Sequence, residues 1–171
     1  MNPSSISCSF PAVLFAAALL AACAPAITTS PGTGTGEEER VVEAVQQLFD
    51  IMATNDADAA RRLLMPDGRF FAVLPGPEGD GQARAISHEE FITMLGTARE
   101  RWLERMWEPE VRVRGPIAMV WTPYDFYRDG AFSHCGVNAV TLIREEGGWR
   151  ISGITYTVEP EGCPPSPLGP P

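Results

Sequence analysis

Two hydrophobic periods divide this chain, and the change from one to the other falls near Trp107. Upstream, "EEERVVEAVQQLFDIMATND" carries Val41, Val42, Val45, Leu48, Phe49 and Met52 at three- and four-residue intervals. That spacing predicts an amphipathic helix, and three leading glutamates suit its positive end. Asn55 or Asp56 then caps a short second helix through "DAARRLLM", ended by Pro66, and "GRFFAVLP" follows as a strand. "GPEGDGQA" reads as loop. Ser87 and Glu90 have capping-box spacing, so a long third helix is expected through "SHEEFITMLGTARERWLERM". Downstream the pattern alternates: "WEPEVRVRG", "PIAMVWTPYDFY", "AFSHCGVNAVTLIR" and "GWRISGITYTVE" read as four strands. Gly115-Pro116, Asp129-Gly130 and Glu146-Gly147-Gly148 supply the turns between them.

Helices first and an antiparallel meander afterwards describe an α+β domain in which a curved sheet wraps a helix. Three local patterns, the helix-helix-strand opening, "VRVRGPIAMV" and "GGWRISGITYT", resemble the nuclear transport factor 2-like superfamily, which includes SnoaL-like cyclases and ketosteroid isomerase. The resemblance spans residues 37–163 and implies a cone-shaped fold with three N-terminal helices packed on a curved antiparallel sheet. Within it, "YDFYRDGAFSHCGVNAVTLIREEGGWRI" and a late Cys163 look like an exported bacterial lipoprotein branch of unknown function. The fold serves binders, enzymes and assembly domains alike, so it does not by itself imply a chemistry.

The segments outside that span concern address. No charged residue precedes Glu37, and "AVLFAAALLAAC" is an apolar run closed by small residues, which reads as a signal peptide over 1–22. Leu20-Ala21-Ala22-Cys23 resembles the lipobox of bacterial lipoproteins, so that Cys23 is the expected lipidation site and the membrane is reached through a lipid anchor. The basic residues that usually open such a signal are missing, which keeps a soluble periplasmic or secreted protein as the alternative. Residues 23–36, rich in Pro, Gly and Thr, read as a tether, and 164–171 as a disordered Pro-rich tail.

The formal charge of −9 comes from thirteen arginines, no lysine and twenty-two acidic residues, with no dense basic cluster. Nucleic acid is not an expected partner, and lysine Schiff-base and P-loop chemistry are excluded. Two histidines far apart offer no zinc spacing, so neither metal nor cofactor is expected. His88 reads as an exposed residue in the first turn of the third helix. Arg61, Arg62, Arg99, Arg101 and Arg105 read as solvated helix positions, and Arg69 as a residue able to reach a carboxylate ligand.

The candidate chemistry lies in "YDFYRDGAFSHCG". A type I′ turn at Asp129-Gly130 sets Arg128 opposite Ala131 and Tyr127 opposite Phe132. Continued without interruption, this register pairs Asp125 with His134, Pro123 with Gly136 and Trp121 with Asn138, all on one face. Asp125 and His134 are then candidate catalytic residues, a carboxylate orienting an imidazole for acid-base work. The pair is equally explained as a buried histidine with its hydrogen-bond partner. A similar count from the last turn pairs Leu142 with Ile151, Val140 with Gly153 and Asn138 with Thr155, and adds Trp149, Thr155 and Thr157 to the face. Trp121, Tyr127, Asn138 and Thr155 are accordingly the candidate ligand-binding residues, forming apolar walls with a few convergent polar groups.

Cys135 has the opposite parity, beside Tyr124 and the region of Val158, and Cys163 lies farther along. With Cys8 removed and Cys23 lipidated, two thiols remain in an oxidising compartment, the arithmetic of one disulfide. Three readings follow. The first is a binding or accessory protein of the cell envelope for a small amphipathic molecule. The second is a cofactor-free isomerase, dehydratase or cyclase using Asp125 and His134. The third is a dimeric interaction module.

Overall fold

The computed structural model describes residues 36–76 and 79–171; the expected signal peptide, Cys23 and nearly all of the tether lie outside these residues. Helix α1 (Gly36–Thr54) begins with Glu37, Glu38 and Glu39 and buries Val41, Val45, Leu48, Phe49 and Met52 of the stripe that its spacing predicts, while Val42 is only partly buried. Helix α2 (Ala57–Leu63) is capped by Asp56, whose side chain accepts a hydrogen bond from the Ala59 amide. It stops before Leu64, where β1 (Leu64–Pro75) begins, so that Pro66 lies within the strand.

Two expectations fail in the next segment. "GPEGDGQA" is not loop throughout, because β2 (Gly81–Ser87) starts within it and pairs antiparallel with β1. The long third helix is also cut short: α3 (His88–Thr97) carries the expected Ser87–Glu90 capping box but ends at Ala98. "WLERM" then forms β3 (Trp102–Met106). Strands β4 (Glu110–Arg114), β5 (Ile117–Arg128), β6 (Ala131–Glu145) and β7 (Gly148–Thr157) follow as the alternation predicts.

The strands form one sheet in the order β2-β1-β7-β6-β5-β3, with β4 also paired to β5. It is mixed rather than purely antiparallel, since β1 runs parallel to β7. One face packs on the helices around Leu48, Leu95, Val120, Val140 and Ile151, all at most 1 % exposed. Burial of such side chains contributes about 1.5–3 kcal/mol each. Glu37 ties the start of α1 to the last hairpin, accepting hydrogen bonds from Trp149 Nε1 at 3.1 Å and Arg144 at 2.9 Å.

His88 is fully buried, not exposed. Its Nδ1 lies 2.7 Å from the Met65 carbonyl, its ring packs against Phe70 at 4.6 Å, and its Nε2 has no hydrogen-bond partner. Gly68 makes this possible, because a Cβ there would lie 2.0 Å from the imidazole Cε1. Burial lowers the His88 pKa below its ordinary value, only partly opposed by the Met65 carbonyl.

The β5–β6 hairpin turns as expected, with Asp129 and Gly130 both at positive φ and Arg128 opposite Ala131. Tyr127 also faces Phe132, but Ser133 is an extra residue, and from there Phe126 faces His134 and Asp125 faces Cys135. A second extra residue, Ser152, shifts β7: Leu142 faces Ile151 as expected, whereas Val140 faces Ile154 and Asn138 faces Tyr156. A one-residue bulge moves every later side chain to the other face. The two bulges therefore decide which residues look inward.

Candidate functional site

Directly opposed residues in neighbouring strands share a face, so the register can be read across the sheet. Glu104, Phe126 and His134 form one row over β3, β5 and β6, and Thr122, Asn138 and Tyr156 form another over β5, β6 and β7. Both rows look toward α1 and α3. Between sheet and helices lies a cavity of about 190 Å³. Leu48, Phe49 and Met52 close it from α1, while Phe91 and Met94 bound it from α3. Met94 remains 47 % exposed at its edge.

The walls are mostly aromatic. Trp102 and Phe126 meet at 6.4 Å, Phe126 and His134 at 5.0 Å, Tyr124 and His134 at 5.7 Å, and Tyr124 and Tyr156 at 6.4 Å. Gly136 permits part of this arrangement. A Cβ there would meet the Thr157 carbonyl at 2.2 Å and the Tyr124 ring at 2.9 Å. Without it, the Tyr124 hydroxyl donates to the Thr157 carbonyl at 2.7 Å.

Glu104 is the cavity's carboxyl group. It accepts a 2.7 Å hydrogen bond from Asn138 Nδ2. The residue is half-buried, and burial pushes its pKa up to about 7; the Asn138 amide opposes the rise, and Asp125 adds to it from behind the sheet. The carboxyl can therefore hold or release a proton near neutrality. Burial also raises the Tyr124 and Tyr156 hydroxyls, helped by Glu104, and both remain protonated in the neutral range. Burial depresses the His134 pKa, assisted by Arg128, so its imidazole is neutral at pH 7. Ser133 Oγ lies 3.0 Å from His134 Nδ1.

The pairing expected of Asp125 and His134 does not form. Asp125 lies on the opposite face, only 3 % exposed, and receives two bonds from Arg105: Nε at 2.9 Å and Nη2 at 2.6 Å. Arg105, expected on a solvated helix, is thus a strand residue with a buried partner. Tyr127 belongs to that outer cluster, its hydroxyl 3.2 Å from Arg105. Trp121 is 49 % exposed on the outer face, in register with Ala139 and Thr155, so neither Trp121 nor Thr155 reaches the cavity. His134 and Asn138 do line it. Glu104 and Tyr156 join them there although sequence reasoning passed over both: Glu104 because its segment read as helix, Tyr156 because of the bulge at Ser152.

Cys135 and Cys163 form a disulfide with a Cα separation of 6.0 Å. Cys135 faces Asp125 rather than Tyr124, and its backbone pairs with Glu159. Among the described residues, no group of three or more His, Cys, Asp or Glu could hold a metal, and no helix is long and apolar enough to cross a membrane.

No protein-family model and no curated protein matches the sequence. Solved structures resemble it in shape. A nuclear transport factor 2-like protein from Cytophaga hutchinsonii superposes with a TM-score of 0.61 at 12 % identity, over 72 % of this chain and 99 % of that one. The fold is that of nuclear transport factor 2-like proteins. A member of that superfamily from Salmonella enterica serovar Typhimurium has a TM-score of 0.57 and 15 % identity, covering 75 % of this chain and 94 % of the other. A protein of the nuclear transport factor 2-like family from Streptomyces avermitilis, named provisionally as a dehydratase, gives 0.57 and 17 %, with coverages of 72 % and 96 %. At these identities the likeness concerns the fold. The chemistry has to be argued from Glu104 and its surroundings.

Proposed function

We propose that the protein binds a small, largely apolar molecule in the concave cavity, with Glu104 as its polar anchor. The observation that carries this reading is a carboxyl group held by one amide inside an aromatic enclosure of about 190 Å³. Apolar walls give affinity and a few placed polar groups give orientation. The volume falls below the range of about 300–1,000 Å³ for drug-sized sites, which favours a smaller ligand. A fragment screen by thermal shift, followed by crystal soaks of the hits, tests it. Density between Trp102 and Tyr156 is the expected outcome; hits that all bind elsewhere overturn the proposal.

A second reading is proton-transfer catalysis, favoured by the Glu104 value of about 7. A general base works best when its pKa lies near the working pH. In this reading Glu104 replaces the Asp125–His134 pair, whose members sit on opposite faces of the sheet, and the provisional dehydratase from Streptomyces avermitilis is a compatible relative in shape. Turnover of an isomerisable or dehydratable substrate that disappears in Glu104→Gln would support it; turnover retained in that variant would end it.

The address belongs to the same proposal: export with removal of residues 1–22 and retention in the envelope through lipidated Cys23. The Cys135–Cys163 disulfide supports an oxidising compartment. Metabolic labelling with a palmitate analogue should mark the wild-type chain and not Cys23→Ser, and label retained in that variant contradicts the anchor.

A further inference from the structure

We propose that the ligand of the concave cavity is a small arylalkyl or alkyl ammonium ion, its charged nitrogen paired with Glu104 and its apolar part against the aromatic walls. This inference rests on the binding reading above and specifies the chemistry of the occupant.

The argument is one of donors and acceptors. Three neutral donors lining the cavity have protein partners: Asn138 Nδ2 bonds Glu104, the Tyr124 hydroxyl bonds the Thr157 carbonyl, and Trp102 Nε1 bonds Glu100 at 3.0 Å; the Tyr156 hydroxyl and the His134 ring can each donate or accept. Arg128 at the edge is paired with Glu100 at 3.0 Å. Glu104 takes one of these bonds through Oε1, and its two oxygens together can accept several. Among the lining residues, Arg128 thus has its countercharge whereas the Glu104 carboxyl bonds only a neutral amide. An anionic ligand would meet that carboxyl, whereas an ammonium group supplies three donors and the missing countercharge.

The rings reinforce the preference. Trp102, Tyr124, Phe126 and Tyr156 line the same cavity as Glu104. Aromatic faces attract cations, more strongly where water is excluded. Asp125, behind the sheet, adds negative potential at Glu104.

Proton linkage follows. The groups around Glu104 are Asn138 and His134 on β6, Tyr124 and Arg128 on β5, Tyr156 on β7, and Asp125 through the sheet; the lining residues of α1 and α3 are uncharged. Tyr124 and Tyr156 stay neutral, and His134 gains charge only at acidic pH. Below about pH 7, entry of the ammonium ion therefore releases the Glu104 proton to solvent; above it, the carboxylate is already formed.

Three probes of nearly one shape test this by calorimetry on the purified disulfide-bonded domain: phenethylamine, phenethyl alcohol and phenylacetate. At about pH 8, the amine should bind at least about tenfold more tightly than the alcohol, with phenylacetate weakest. Its affinity should fall by about tenfold by about pH 6, while that of the alcohol stays flat. Glu104→Gln should reduce the preference for amine over alcohol to within about threefold while alcohol binding persists, a readout that misfolding cannot mimic. Equal binding of alcohol and amine, or preferred binding of phenylacetate, overturns the ammonium assignment and leaves the binding reading standing. If none of the three occupies the cavity, the binding reading fails with it.

Discussion

Glu104 and Asp125 sit on neighbouring strands, one on each face of the same sheet, and their surroundings differ in one decisive respect. Asp125 faces outward beneath the surface, where a guanidinium grips it through two hydrogen bonds. Glu104 faces inward, where its protein partner is a neutral amide and its neighbours are rings. A buried carboxylate with a matched cation is a structural element; one without a cation remains available to a proton or a ligand. The Asp125 side of the sheet is therefore built for stability, and the Glu104 side is the one on which the proposed ligand would sit.

The largest expected effect comes from disturbing the matched side. Arg105→Met should leave Asp125 buried and unpaired and cost about 3–5 kcal/mol in denaturant unfolding, and a loss below about 1 kcal/mol would contradict the importance of the pair. The neighbouring disulfide closes a loop of 28 residues' separation. Removing it with Cys135→Ala and Cys163→Ala together should cost about 3 kcal/mol while ligand binding, if measured on the folded fraction, is unchanged.

The inward side should respond with the opposite sign. Folding raises the Glu104 pKa from its ordinary 4.5 to about 7, so the folded state holds the proton more tightly. Stability from this group is fully present below about pH 4.5 and is lost as pH rises toward 7. Glu104→Gln should thus stabilise the protein by about 1–3 kcal/mol at about pH 8 and leave it nearly unchanged at about pH 4. His88 acts in the other direction. Its folded pKa is depressed below 6.5, so its contribution is present above that value and is lost as pH falls through the folded pKa. Unfolding free energy of Glu104→Gln should therefore fall on acidification from about pH 7, a loss that His88 shares with the likewise depressed His134 and that shrinks when His134→Gln is added.

Much of the fold was legible because its signals are local. The stripe of α1, the Ser87–Glu90 box and the Asp129-Gly130 turn each depend on residues within a few positions of one another. What escaped depends on single-residue shifts and on a boundary with weak punctuation. Gly96, in the last turn of α3, was the available stop signal, but the arginines and glutamates after it favour helix in isolation. Their alternation in "WLERM" acquires meaning only when β5 is present to pair with it. The bulges at Ser133 and Ser152 follow turns whose sequence set the first pairs correctly, and nothing in either serine announces an extra residue. That is why the sequence pattern places Asn138 and His134 correctly, puts Trp121, Asp125, Tyr127 and Thr155 on the wrong face, and gives no sign of Glu104 and Tyr156. The pairing of Cys135 with Cys163 was easier, because it required counting thiols rather than fixing a register.

The most direct test of the contrast between the two faces is a carbon-detected NMR titration of the Glu104 carboxyl in the oxidised domain. A midpoint near pH 7 that moves downward when phenethylamine is added is the expected result; a midpoint near 4.5, insensitive to the amine, would contradict the assignment of Glu104 as the open carboxyl of an apolar site.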